Sequence, residues 1–174
     1  MRISTELPHC FLRPWEAADT NDLLQNANNR SVWRNLTESF PHPYTQADAE
    51  FWIEFANRSG TSTHLAIEVE RKAIGGIGTI GGVGEYSKTA QFGYWLGEPY
   101  WGRGIATAAA RAMVAHALAV ARFARLEAPV FEWNPGSMRV LEKSGFIRES
   151  VRRRSVFKDG QQIDSVMYAL IVDA

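Results

Sequence analysis

Two glycines separated by an arginine, Gly102-Arg103-Gly104, stand between an aromatic stretch and an alanine-rich run, 105–121. The first N–H groups of a helix have no partner inside it, and they lie at the positive end of the helix dipole. A glycine-bracketed turn at that point makes an anion site: no Cβ keeps a polyphosphate off the backbone, and Arg103 can add charge-assisted bonds to the same oxygens. The pattern reads as a strand over 90–96, a loop over 97–104 and a helix over 105–121, and the ligand it suggests carries a pyrophosphate. A plain strand-to-helix turn competes with that reading, because short glycine motifs are weakly specific.

A second glycine pattern, Gly76-Ile-Gly-Thr-Ile-Gly81, fits G-x-G-x-x-G letter for letter. It is no dinucleotide site, because that fingerprint must open a helix, whereas 82–90 is turn-like and leads into another strand. These glycines instead keep a strand thin where something packs closely against it. Segment 32–44 carries Trp33, Leu36, Phe40 and Tyr44 around Pro41 and Pro43, too aromatic for a solvated loop and too proline-broken for a long helix. It is either the wall of a substrate pocket or the cover of one edge of the core. The histidines at 9, 42, 64 and 116 form no i,i+4 pair, and the single cysteine, Cys10, is distant in sequence, so no metal site is expected. Cys10 reads as a small buried hydrophobe, and one cysteine excludes an internal disulfide.

The 174 residues suit one domain over 1–174, with 45% apolar and 22% charged residues as in an ordinary globular protein. Lys+Arg and Asp+Glu both number 19, which removes the basic field of a general nucleic-acid binder. Residues 1–9 lack the apolar stretch of a signal peptide, and no run approaches the roughly 18 apolar residues of a membrane helix. A cytoplasmic protein without membrane or nucleic-acid partners is expected, and the triplets Asn35-Leu-Thr37 and Asn57-Arg-Ser59 are then coincidental glycosylation matches.

The elements that must position these residues follow from periodicity and caps. A strand over 10–15 precedes a helix over 17–29 with Leu23, Leu24 and Ala27 on one side. Thr45 and Asp48 make a capping box for a helix to Asn57 whose buried stripe should be Phe51, Trp52 and Phe55. A half-buried strand over 64–70, with Leu65, Ile67 and Val69 inward, turns at Arg71-Lys72 into an antiparallel partner over 73–82. The long helix presents Ile105, Ala109, Met113, Ala117 and Val120 to a sheet. In the strand over 125–133, Pro129 cannot donate to a ladder, so one side should be locally unpaired there. A helix over 137–144, suited by Asn134 and Ser137 at its start, should end at Gly145 and Phe146 in a Schellman motif. Strands over 151–157 and 162–172 flank the hairpin signal Asp159-Gly160, and the last, if exposed, offers an edge for a homodimer. Arg152, Arg153 and Arg154 read as an exposed strand face.

Three motifs in this order, Leu12-Arg-Pro14, Gly93-Tyr-Trp-Leu-Gly-Glu-Pro-Tyr-Trp-Gly-Arg-Gly-Ile-Ala106 and Asn134-Pro-Gly-Ser-Met-Arg-Val-Leu-Glu-Lys-Ser-Gly-Phe146, resemble the GNAT superfamily of N-acetyltransferases. Within it they are most similar to the RimJ/RimL branch of ribosomal-protein-alanine acetyltransferases. The resemblance implies a single α/β (α+β) GNAT-type domain, with a mixed, mostly antiparallel central sheet flanked by helices. The strands before and after the long central helix would splay apart. It implies acetyl-CoA as donor, its pantetheine arm pairing with the backbone of Tyr94, Trp95 and Leu96 like an added strand. The pyrophosphate would rest on the N–H groups of Gly102, Arg103, Gly104, Ile105, Ala106 and Thr107, and Trp101 stands where the general pattern has Gln or Arg. Asn134 would bond to pantetheine or local backbone and Ser137 would place its hydroxyl near the sulfur, roles that coexist with helix capping. Arg139 and Lys143 would reach phosphates or form a solvated face.

The implied reaction is direct attack of an amine on the thioester, with backbone N–H groups holding the oxyanion and Ser137 or a water protonating the thiolate. An α-amine of pKa about 7.8 is roughly 10 to 15% neutral at pH 7, whereas lysine, at about 10.4, is below roughly 0.1%. Related sequences often have Glu where Gln91 stands, so Glu132 and Glu85 are the carboxylates left nearby in sequence as a base. Acceptors in view are a protein or peptide N-terminus, or a small amine held by Trp33, Phe40 and Tyr44. An acyl-CoA-binding sensor without turnover is the non-enzymatic alternative.

Overall fold

Eight strands hydrogen-bond into one mixed sheet in the computed structural model, which describes residues 1–58, 60 and 62–172. Ser59, and with it the second glycosylation triplet, lies outside the described residues. Across the sheet the order is β1 (Ile3–Ser4), β2 (Cys10–Arg13), β3 (Ser62–Val69), β4 (Lys72–Gly81), β5 (Thr89–Leu96), β6 (Arg125–Phe131), β8 (Gln161–Ile171) and β7 (Ile147–Lys158). Every neighbouring pair is antiparallel except β5 with β6. Helices α1 (Thr20–Ala27), α2 (Arg30–Trp33) and α3 (Gln46–Ala56) follow β2, α4 (Ile105–Ala119) connects β5 to β6, and α5 (Pro135–Lys143) follows β6. Among the described residues no helix is long and apolar enough to cross a membrane.

The parallel pair is short. Thr89, Ala90 and Gln91 pair with Arg125, Leu126 and Glu127, and then the two strands part. On its other side β6 stays paired with β8 from Arg125 to Phe131. Pro129, two residues past the last β5 partner, cannot donate to a ladder, and the unpaired side expected from it is the gap between β5 and β6.

Each face of the sheet has its own core. On one, Leu12, Leu65, Ile67, Ile74, Ile77 and Phe92 pack with Ala109, Met113 and Ala117 of α4. Ala108, Ala109, Ala110 and Ala117 are buried, so small side chains let α4 lie close to the strands. On the other face, Trp15, Leu23, Ala27, Tyr44, Ala49, Ile53 and Ala56 cover Ala66 and Ala73.

Four expectations need correction. Residues 65–68 of β3 are all buried, so this strand is covered on both faces rather than half-buried. On α3 the buried stripe is Ala49, Ile53 and Ala56; of the three aromatics expected there, Trp52 is half-buried against that core, whereas Phe51 and Phe55 are 61% and 41% exposed and project from the adjacent face. Val120 is 66% exposed, since α4 ends at Ala119 and Val120 is already its cap. The last strand, β8, is internal, flanked by β6 and β7, so it offers no free edge for a homodimer; β7 occupies the edge.

Local signals otherwise translate directly. The Thr45 and Asp48 side chains bond reciprocally to each other's backbone N–H at the start of α3. After α5, Gly145 takes φ 93°, its N–H donates to Glu142 O at 3.1 Å, and Phe146 N–H donates to Leu141 O at 3.0 Å, the two bonds of a Schellman motif. Asp159 and Gly160, at φ 50° and 73°, make the tight turn between β7 and β8.

One buried ion network ties β2 to the rest. Arg13, 7% exposed, donates to Asp19 Oδ2 and Oδ1 at 2.7 and 2.8 Å, and its Nε donates to Glu68. Arg2 adds a 2.6 Å bond to the other oxygen of Glu68. The two carboxylates raise the Arg13 pKa further, Asp19 first. Arg13→Met leaves buried Asp19 without a cation and Glu68 with Arg2 alone, so it should cost about 3–5 kcal/mol, read as a lower midpoint in urea denaturation.

Candidate functional site

A cavity of about 1120 Å³ opens where β5 and β6 part. It runs from the loop before α4, past the start of α5, to α3 and the segment ahead of it.

At the loop end, Gly102 and Gly104 adopt φ 74° and 77°, a left-handed conformation that side chains disfavour. The bond from Ala108 N–H to Gly104 O, 3.0 Å, starts the helix. The N–H groups of residues 102–107 therefore stay without intrahelical partners, at the positive end of the 15-residue α4. Trp101 fixes the approach by donating its indole N–H to Leu96 O at 2.7 Å, which fastens the loop to the end of β5. Arg103 is exposed, its guanidinium 5.7 Å from the Tyr100 ring centroid. Arg139 and Lys143 of α5 also line the cavity. Converging N–H groups and three cations suit a polyphosphate.

Midway, hydroxyls converge. Tyr94 Oη and Ser137 Oγ are 2.7 Å apart, and Asn134 Oδ1 accepts from Ser137 N–H at 3.1 Å to cap α5. Burial pushes the Tyr94 phenol up to about 12, against a smaller lowering effect from Ser137. The pair therefore stays protonated wherever an amine is deprotonated enough to attack, and can deliver a proton to a departing anion.

The far end is aromatic. Phe40 lies 5.0 Å from Tyr44 and 5.5 Å from Trp95, centroid to centroid, and Phe51 stacks on Phe55 at 6.2 Å. His64, half-buried on β3, packs 5.2 Å from Trp52 and 5.6 Å from Phe55. Burial lowers its pKa below the usual 6.5, so its ring is neutral at pH 7. Among the described residues the one carboxylate in the lining is Asp48, and it is engaged by Thr45 N–H at 2.8 Å and Thr45 Oγ1 at 2.6 Å.

Of the residues singled out in the sequence, Tyr94, Trp95, Leu96, Trp101 and 102–107, with Asn134, Ser137, Phe40, Tyr44 and Gln91, line this cavity together. Three others do not join them. Glu132 is exposed beyond β6 and accepts from Asp164 N–H at 2.9 Å, tied to β8 rather than aimed at the cavity. Glu85 is exposed in the short turn Gly84–Tyr86. Trp33 packs on His42 at 5.6 Å and under Lys158 Nζ at 3.6 Å, so its ring is engaged outside the pocket. The sequence reading missed Phe51, Trp52, Phe55 and His64 as lining. A signal for the first three was present: α3 carries more large aromatics than a helix with Ala49, Ile53 and Ala56 as its packing stripe needs.

The acetyltransferase (GNAT) domain family matches residues 9–147. A probable N-acetyltransferase, YjcK of Bacillus subtilis (strain 168), is 31% identical over 173 residues, 92% of this chain and 93% of its own. The ribosomal-protein-serine acetyltransferase of Escherichia coli (strain K12) is 33% identical over 88 residues, 51% of this chain and 49% of that protein. Among solved structures, RimL, a ribosomal L7/L12 alpha-N-protein acetyltransferase in complex with coenzyme A, has a TM-score of 0.87 at 20% identity over 99% of both chains, a likeness of fold.

A Cβ on Gly104 would meet nothing within 4 Å, so it would project into open space beside the free N–H groups. Gly104→Ala should lose about 1–2 kcal/mol of stability from the left-handed conformation, and the rise in melting temperature given by coenzyme A should shrink, both readable by thermal and urea unfolding.

Proposed function

The chain belongs to the GNAT family of acetyltransferases, and on that premise we propose that it acetylates the α-amine at the N-terminus of a protein or peptide. Residues 1–174 act in this reading as one domain, with acetyl-CoA as the donor. The pantetheine arm fills the gap left by β6 along Tyr94, Trp95 and Leu96, and the pyrophosphate rests on the N–H groups of residues 102–107 with Arg103 beside it. That arrangement directs the thioester toward the Tyr94–Ser137 hydroxyl pair and the aromatic end of the cavity.

The amine nitrogen attacks the carbonyl carbon, and backbone N–H groups freed where β5 leaves β6 stabilise the oxyanion. Collapse expels the thiolate, which takes its proton from the Ser137–Tyr94 pair. Asn134 holds Ser137 in place by capping α5.

One observation carries the choice of acceptor: the cavity offers no free carboxylate among its described residues. A lysine ammonium must lose about 3 pKa units' worth of proton affinity before attack at pH 7, whereas an α-ammonium needs less than about 1. A site whose one carboxylate is committed to the cap of α3 therefore suits the α-amine. Of the three rings on which the small-amine reading rested, Phe40 and Tyr44 line the cavity but Trp33 is engaged elsewhere, which leaves that pocket less enclosed. The relative named as a ribosomal-protein-serine acetyltransferase supports a protein as the acceptor.

Free-thiol release from acetyl-CoA, measured with N-terminal peptides, lysine peptides and small amines, tests this. Turnover should be confined to free α-amines, and Ser137→Ala should lower kcat by about 10²-fold with little change in acceptor KM. Turnover restricted to small amines would replace the acceptor, and thermal stabilisation by coenzyme A without thiol release would leave a binding protein.

A further inference from the structure

We propose that His64 is the general base of the transfer, accepting the proton that the acceptor ammonium must lose before it attacks. The proposal deepens the acetyl-transfer reading and rests on it.

His64 on β3 lies opposite Gly78 on β4, and Gly78 lies opposite Gly93 on β5, so the three form one row across the sheet. Neighbouring strands are about 4.8 Å apart, which puts Gly93 two strand spacings from the His64 backbone. Gly93 is two residues past Gln91, the last β5 residue paired with β6, so the row ends at the mouth of the gap. Two of its three positions carry no side chain. A Cβ on Gly78 would run into the Thr63 carbonyl and stand 3.1 Å from His64 Nδ1, so the ring lies against bare backbone on β4. A Cβ on Gly93 would meet nothing within 4 Å. The way from the imidazole to the thioester end of the cavity is open, and all three residues line it.

Elimination points to the same group. Gln91 cannot take a proton, Glu132 and Glu85 lie off the cavity, and Asp48 is held by Thr45. Tyr44 and Tyr94 are kept protonated by burial. His64 is the one histidine among the described lining residues. The titratable groups around it are Tyr44 ahead of α3, Asp48 on α3, Tyr94 on β5, Tyr100 and Arg103 in the loop, and Arg139 and Lys143 on α5; Trp52, Phe55 and Gly78, which touch it, carry none. None of these charges perturbs His64, whose depressed pKa comes from burial alone. A neutral imidazole at pH 7 is a moderate base, adequate for an α-ammonium and weak for a lysine.

The proton balance is simple. The α-ammonium gives one proton to an imidazole nitrogen, directly or through one water, and the freed nitrogen pair forms the C–N bond as the carbonyl π pair moves to oxygen. When the C–S bond breaks, the hydroxyl pair at Ser137 protonates the thiolate and is reprotonated by the second proton leaving nitrogen. The imidazolium releases its proton to solvent, so ammonium and acetyl-CoA yield amide, free thiol and one H⁺.

The test compares wild type, His64→Gln and His64→Ala in thiol release with an α-amine peptide from pH 6 to 9. His64→Gln should lose about 10²-fold in kcat/KM near pH 7, and the deficit should narrow above the acceptor pKa of about 7.8, where the amine is already neutral. Added imidazole should restore part of the His64→Ala rate, while coenzyme A should raise the melting temperature of all three proteins equally. The sign follows from the depressed pKa: the wild-type rate falls only as pH drops below 6.5, where the imidazole gains its proton. Wild-type turnover with His64→Gln within about twofold at every pH, or no rescue by imidazole, would overturn this proposal while leaving acetyl transfer standing. Absence of thiol release by the wild type would overturn both.

Discussion

The parting of β5 from β6 after three residue pairs is the constraint on which the site depends. Two adjacent parallel strands that separate leave backbone N–H and C=O groups facing each other across a gap, and burying such groups unpaired is costly. The fold tolerates this because each strand is held on its other side, β5 by β4 and β6 by β8, over nearly its full length. Pro129 removes one donor that would otherwise want a partner. What remains is an edge of β5 that can receive an extended ligand, open at one end to the free N–H groups of α4.

The cavity's two ends then call for different physics. Its loop end concentrates N–H groups and cations, a favourable setting for phosphate charge and a poor one for an ammonium. At its aromatic end the one carboxylate among the described lining residues, Asp48, is drawn into the α3 cap, and His64 is neutral. In the proposed function an acceptor entering there would be recognised by surface contact and stacking, and would shed its charge as it reached the thioester. Phe51 and Phe55 are exposed because this face of α3 bounds a cavity and the core lies behind it.

Much of this was legible in sequence wherever the information is local. Gly102 and Gly104 take the left-handed conformation that only glycine adopts easily, Gly145 and Phe146 close α5, Asp159-Gly160 turns the last hairpin, and Pro129 marks the gap. What failed was positional. A stripe picked by hydrophobicity ranks Phe51, Trp52 and Phe55 above Ala49 and Ala56, yet close packing against α1 favours the small residues. Strand order is not written along the chain, so β8 looked like an edge and is internal. Glu132 is near Asn134 in sequence but faces β8. His64 had no motif around it, because what gives it a role is register across three strands.

That register also explains the glycines of β4, the letters that imitate a dinucleotide fingerprint. Gly76 and Gly78 share the face on which Ala66, His64 and Trp95 lie, and each meets a bulky neighbour. A Cβ on Gly76 would stand 2.7 Å from Trp95 Nε1 and 3.3 Å from Trp15, so the indoles pack where a side chain would be. Glycine weakens a strand by forfeiting entropy and side-chain contacts, but here the contacts come from aromatic rings laid over the backbone. The same absence of Cβ at Gly78 lets the His64 ring rest over β4 and leaves Gly93 uncovered. One run of glycines therefore packs the aromatic layer against the sheet and keeps a lane clear from a neutral base to the gap where β5 and β6 part.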